Sequence, residues 1–251
     1  QHLGENPPGE VKYYCDLSGG LLGAFFHPDD WTDSHWYWPG CGVNVDGKLY
    51  LFLSKMDKGE GPAGFAFQTI NCTLFTVHNP EADPRDWKIS KQDLGLGDDH
   101  FNINAGAMVR DGYVWLLGYD DGPDDDPTRR SMILSRMPVE SLKDDKPAAG
   151  LEYWTSGQTW SKNPENLKYL FTPGVTETSL HYDEMLNRFV TVTMVPFQDK
   201  LHLATAERLT GPWTVHDPSF VIDKLAEDNN YLAYAGRAHP FLSDDDTLLV
   251  T

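Results

Sequence analysis

The chain has 251 residues, 40% of them hydrophobic and 12% aromatic, a globular composition with enough apolar material for a sizeable core. Its formal net charge of −18 repels polyanions at long range, which argues against nucleic acid and anionic membrane surfaces as partners. No apolar run reaches the ~20 residues that span a bilayer as a helix.

The opening residues QHLGENPPGEVKYY carry neither the basic start nor the apolar stretch of a signal peptide. A cytosolic protein, or a processed or truncated secreted one, is therefore expected. Within residues 1–35, YYCDLSG and LLGAFF offer at most the end of a preceding β-unit or a linker. From residue 36 onward no long amphipathic helix is legible. Apolar and polar residues alternate in short runs divided by Gly, Pro, Asp and Asn, the pattern of an all-β chain.

The clearest predicted strands are KLYLF (48–52), GYVWLL (112–117), RFVTVT (188–193) and TLLVT (247–251). Each follows a turn (VDG, RDG, DEMLN, SDDD), and each turn follows another short strand (GVNV, AGAMV, TSLHY, GRAHPF). After the first three hairpins come FAFQTINCTLFTVH, RRSMILSRMP and KLHLATAE, then DWKISK, EYWTSG and GPWTVHD, with Trp87, Trp154 and Trp213 placed near the start of the last strand. Four strands per repeat make a propeller blade, and the recurring Trp favours that architecture over an irregular β-sandwich. The expected units are about 36–95, 100–160, 174–220 and 230–251 of one domain, 1–251. With the fourth unit ending in its second strand, the propeller is expected to be incomplete at both ends.

Cys15, Cys41 and Cys72 form no CxxC pattern, so a metal site built from them is not expected. One disulfide with one free thiol, or three reduced buried thiols, both remain open. Asn71-Cys72-Thr73 matches the N-glycosylation tripeptide inside an apparent strand.

Taken in order, WYWPGCGVNVDGKLYLF, INAGAMVRDGYVWLLG, ETSLHYDEMLNRFVTV, LATAERLTGPWT and YAGRAHPFLSDDDTLLVT resemble successive blade motifs of the DUF4185 and DUF5005 type. The resemblance runs over residues 36–251 and implies a five-bladed β-propeller of four-stranded antiparallel blades, related in form to furanosidase-like glycoside hydrolases. Some DUF4185 members are endo-acting D-arabinanases, and A-x-x-x-x-G-P-W recurs among furanosidase-like propellers. A family member would also carry a preceding blade with an acidic residue in a W-x-F-G-D-like strand. On this reading the substrate is a neutral, furanose-containing or related polysaccharide, and the protein is extracellular or on the cell surface.

Ligands of propellers sit at the mouth of the central channel, so residues early in each unit's first strand are the site candidates. Glycoside hydrolysis needs two carboxyl groups flanking the bond. Glu177 is the expected acid, since a channel position disfavours its charged form, and furanosidase-like propellers often present a Glu on the corresponding strand. The blander alternative is a structural Glu177 that accepts backbone bonds or meets Arg237. Asp29 and Asp30, before WYWPG, are the expected partners, although HPDDW is also a sound turn sequence. Expected substrate-binding residues are Trp36, Trp38, Asn102, Asn104, Ser179, His181, Tyr234, Arg237 and His239. Trp36 and Trp38 could stack on sugar rings or pack between blades. Ser179 and His181 share a face, but without a G-x-S-x-G elbow they point to hydrogen bonding rather than to a serine hydrolase. No cofactor or metal is expected. The acidic runs 120–126 and 243–246 raise calcium, against the plainer reading of solvated turns. A non-catalytic glycan-binding or interaction propeller is the competing function.

Overall fold

A computed structural model describes residues 13–15, 23–29, 35–60, 66–96, 101–121, 129–144, 146–195, 198–218, 220–222, 233–243 and 247–251. Among them there is no α-helix, only short 3-10 turns between strands, and no helix is long and apolar enough to cross a membrane. The strands form three antiparallel meanders. The first holds β1 (Trp36–Val45), β2 (Lys48–Lys58), β3 (Phe67–Val77) and β4 (Ile89–Asp93). The second holds β5 (Phe101–Arg110), β6 (Tyr113–Asp120), β7 (Ser131–Pro138), β8 (Glu152–Trp154) and β9 (Trp160–Ser161). The third holds β10 (Leu180–Asp183), β11 (Arg188–Met194), β12 (Lys200–Ala206) and β13 (Trp213–Val215), with β14 (Phe220–Val221) pairing β12. A further antiparallel bridge, Ala238 with Val250, begins a fourth unit.

The hairpins arise where the sequence places them. Asp46-Gly47 and Asp111-Gly112 all take positive φ (49°, 74°, 51° and 77°), the backbone that a two-residue turn between twisted strands demands. Asn187 does the same, at 52°, in the third hairpin.

The sheets stack in series, with an apolar core between each neighbouring pair. Val43, Phe52 and Leu74 of the first sheet meet Ile103, Leu116 and Ile133 of the second. Ala105, Leu117, Met132 and Leu134 of the second meet Phe189, Met194, Ala204 and Trp213 of the third. Val192 and Leu201 of the third meet Ala238 of the fourth unit. A two-sheet sandwich has one such core. Serial stacking is how consecutive propeller blades pack. It also explains the continuous apolar run of β7: Met132 and Leu134 face one neighbour, Ile133 and Met137 the other.

Three local expectations shift. The recurring Trp does not hold one register, since Trp87 precedes β4, Trp154 ends β8 and Trp213 opens β13. All three cysteines are free thiols, Cys15 exposed and Cys41 and Cys72 buried. Asn71 and Thr73 serve the strand itself: Asn71 Oδ1 accepts from the Gly95 and Leu96 amides at 3.1 Å, and Thr73 Oγ1 donates to Asp93 at 2.6 Å.

Candidate functional site at the mouth of the inner strands

The innermost strands of the four units, β1, β5, β10 and Arg237–His239, contact one another in sequence. Two bulges make the joints. On β1 the pairing slips between Pro39 and Cys41; on β5 it slips between Asn102 and Gly106, so that Ile103, Asn104 and Ala105 oppose Gly118 alone. A bulge frees backbone groups from the ladder, and buried ones must find other partners. Ala105 O takes the Thr178 amide at 2.8 Å, and Gly40 O takes Arg237 Nη2 at 2.6 Å. Asn104 reaches back from the second bulge, its Nδ2 donating to Ser54 Oγ at 2.9 Å. Finally, the Ala238 amide donates to Ser179 Oγ at 3.0 Å. These bonds bring Gly40, Asn104, Thr178, Ser179 and Arg237 into one ring of inner strands.

Glu177 rides on an arch above that ring. The alternation of Glu177, Ser179 and His181 predicts one strand with all three on a face; instead β10 begins at Leu180. The cause is the joint itself. Thr178 gives its amide to Ala105 O and its hydroxyl to Val192 O at 2.7 Å, so the segment before it cannot also join the β11 ladder. The arch is tied to the second sheet by Gly174 N to Arg130 O and to the third by Thr193 Oγ1 on Pro173 O. A side chain at 174 would collide with Arg130, its Cβ lying 2.8 Å from Arg130 Cγ, so Gly174 lets the arch lie flat there.

The half-buried Glu177 carboxylate accepts the Thr176 hydroxyl, and no other partner is found for it among the described residues. Beside it stands a group that sequence reasoning missed: Tyr119, Asp121 and Arg130. Burial pushes the Tyr119 hydroxyl well above the usual tyrosine range, Arg130 pulls it back, and the charges of Asp121 and Glu177 push it further up. Tyr119 thus stays neutral, with Thr69 of β3 pulling its pKa the other way only weakly. Arg130 lies 4.7 Å from the centre of its ring and binds Asp121 at 2.5 Å. The signal for these residues was positional. The end of a unit's second strand lies beside the start of its first, so Tyr119 pairs with Asn102.

Trp36 and Trp38 share a face of β1 with ring centres 6.3 Å apart, and Trp38 sits edge-on to Phe67 at 4.5 Å with 37% of its surface exposed. They therefore both pack and present aromatic surface. Asn102 is buried with Oδ1 unpartnered among the described residues, whereas Asn104 is committed to the joint with β2. Ser179 serves the joint to Ala238 and not His181. His239 Nε2 meets Thr251 Oγ1 at 2.8 Å on the fourth hairpin, and Tyr234 is exposed. Asp29 is almost fully exposed and paired at 2.9 Å with Lys91 of β4, whose Nζ also lies 5.9 Å from the Tyr37 ring of β1. Asp30 lies outside the described residues. So do residues 122–126 and 244–246, the bulk of the two acidic runs that raised calcium. Among the described residues no three His, Cys, Asp or Glu side chains are grouped to hold a metal.

His181 is the most unusual titratable group of the ring. Both ring nitrogens are buried with no hydrogen-bond partner among the described residues. Burial lowers its pKa from the ordinary value of 6.5, and Asp183 only partly offsets this. The fold therefore selects neutral imidazole, while the unfolded chain protonates first as pH falls. Its contribution to stability is complete above the unfolded value and declines as pH drops from about 6.5 toward the lower folded value. Melting curves of the wild type and His181→Leu should show the Tm difference moving in favour of the variant between pH 8 and pH 5. A difference that does not change with pH would mean that His181 is not held neutral.

A family model described as "Domain of unknown function (DUF5005)" matches residues 21–251. No curated protein matches the chain. Among solved structures, a crystal structure from Bacteroides ovatus ATCC 8483, whose assignment as a hydrolase is provisional, superposes with a TM-score of 0.66 at 14% identity, covering 98% of this chain and 62% of that one. This chain thus spans less than two thirds of that protein, and identity so low shows a shared fold only. Zg3597, a family 117 glycoside hydrolase produced by Zobellia galactanivorans, matches at a TM-score of 0.46 and 12% identity over 77% of this chain and 59% of that one. An alpha-L-arabinofuranosidase from Clostridium thermocellum ATCC 27405 matches at 0.32 and 11%, over 81% and 78%. Superpositions at those two scores bear no weight for the site. The family model covers nearly the whole chain, and the chain belongs to the DUF5005 family.

Proposed function

We propose that this chain is part of a five-bladed, secreted or cell-surface propeller that hydrolyses glycosidic bonds in a neutral, furanose-containing or related polysaccharide. The observation that carries the reading is Glu177: an arch anchored to two sheets holds it beside the inner strands, yet among the described residues only Thr176 engages its carboxylate. A group fixed in place but left uncommitted is what a proton-transfer role requires. Trp36 and Trp38 supply apolar faces for sugar rings, and Asn102, Tyr119 and Arg237 supply hydrogen-bonding groups. The furanose preference rests on the resemblance of the blade motifs to furanosidase-like propellers.

Hydrolysis needs a second carboxylate about 5 to 9.5 Å from the first. Asp121 is a carboxylate that acts on the same Tyr119 as Glu177, and Asp29 and Asp30 are the ones expected from sequence. One observation favours the alternative of a glycan-binding propeller without catalysis: Asp121 is neutralised by Arg130 and Asp29 by Lys91. Incubation with a panel of furanose- and pyranose-based polysaccharides separates the readings. Release of reducing ends is expected. Retention on an affinity gel without release would establish the binding propeller, and neither result would overturn both.

A further inference from the structure

The geometry points to Arg237 as the recognition group for a carboxylate on the glycan, so that the ligand is a largely neutral polysaccharide bearing isolated uronic-acid residues. This inference rests on the glycan-directed reading above and narrows it.

Four other arginines among the described residues are neutralised. The half-buried Arg130 and Arg136 bind Asp121 and Glu152 at 2.5 and 3.0 Å, and the more exposed Arg85 and Arg188 meet Asp83 and Glu207 at 2.8 and 3.0 Å. Arg237 is different. In a chain with 38 acidic residues against 20 Lys and Arg, it is half-buried on the inner ring, and among the described residues its side chain makes one hydrogen bond, to the Gly40 carbonyl. No carboxylate meets it among the described residues. Its charge is felt inside the core: burial pushes the Cys41 thiol up to about 12 even though Arg237 pulls the other way.

A guanidinium carries five N–H donors in a planar fork, and the bond to Gly40 O engages one nitrogen. Keeping a cation half out of water without an anion costs free energy, and a planar carboxylate is the partner that the fork fits bidentately. The bulge at Gly40 fixes where the fork lies, and Ala238, the next residue, is held to Ser179, two residues after Glu177. The cation therefore sits on the same ring as the candidate acid.

The net charge of −18 limits the ligand's charge density. It repels a continuous polyanion, but screening at physiological salt acts within about 8 Å, so a single carboxylate on a neutral backbone can reach Arg237.

The test compares three oligosaccharides of one backbone by calorimetry: neutral, carrying one hexuronic-acid branch, and the same branch with its carboxyl reduced to the alcohol. Wild-type protein should bind the acidic form about tenfold tighter than either other form, the size of one charge-assisted pair. The preference should shrink as salt is raised. In Arg237→Gln the ratio should fall to about one. Since loss of the Gly40 bond could loosen the fold, the carboxyl-reduced ligand on wild-type protein tests the same point without mutation. Equal affinity for all three would overturn the carboxylate proposal while leaving the glycan reading standing. Absence of binding by any of them, with the polysaccharide panel also negative, would remove both.

Discussion

Glu177→Gln is expected to lower turnover of an unactivated polysaccharide by roughly 10²–10⁴-fold while leaving glycan affinity within about twofold, the signature of a lost general acid. The amide keeps the shape of the carboxylate and its acceptor oxygen, so the Thr176 hydroxyl retains a partner and the arch keeps its anchors at Gly174, Pro173 and Thr178. What is lost is the proton delivered to the departing sugar oxygen. The role can therefore be separated from that of a nucleophile by changing the leaving group. An aryl glycoside with an acidic phenol departs without protonation, and on that substrate the variant should lose far less. Comparable losses on both substrates would make Glu177 a base or nucleophile, and full activity on the polysaccharide would exclude it from the chemistry.

The same variant explains why the site was only half legible in the sequence. Glu177 was readable because an acid at the head of an apolar segment is unusual, and because the hairpin repeat placed that segment at a channel mouth. The arch was not readable. GVTETSLHY alternates like a strand, and nothing local says that Thr178 will surrender its amide to Ala105 of another sheet. That bond exists because β5 bulges, and the bulge is encoded by Gly118 and Asn104, 60 and 74 residues upstream of Thr178 in the chain. The partner of Asp29 was unreadable for a related reason: sequence proximity to Trp36 does not fix which side chain a loop meets, and here it meets Lys91 of β4. Tyr119 and Arg130 escaped notice because only the starts of first strands were weighed, whereas the mouth also collects the ends of second strands and the starts of third ones. The serial stacking of sheets, by contrast, was implicit in composition. Apolar residues at consecutive positions of β7 can be buried together only if the sheet has a neighbour on each face.

The dependence of the mouth on the β5 bulge yields the largest expected effect on stability. In Gly118→Ala the new Cβ would lie 2.0 Å from Asn102 O and 2.8 Å from Ile103 Cα, both backbone atoms of the paired strand. No rotamer change relieves a clash with backbone, so β5 must move away from β6. Movement there disturbs the second sheet's contacts on both sides, because Ile103 is fully buried against the first sheet and Ala105 against the third. It also strains the Asn104 bond to Ser54 and the Ala105 bond to Thr178 that hold the arch. A destabilisation of about 3 kcal/mol or more is expected, at the upper end for overpacking because the surroundings cannot yield. Gly47→Ala is the matched control: its Cβ meets nothing within 4 Å, so only the φ of +74° opposes it, at a cost of about 1 kcal/mol. Urea unfolding of both variants measures the contrast as a difference in midpoint at constant slope. Equal midpoints would mean that β5 can close its bulge without loss. In that case the arch would not depend on the bulge, and its anchors at Gly174 and Pro173 would suffice to hold Glu177.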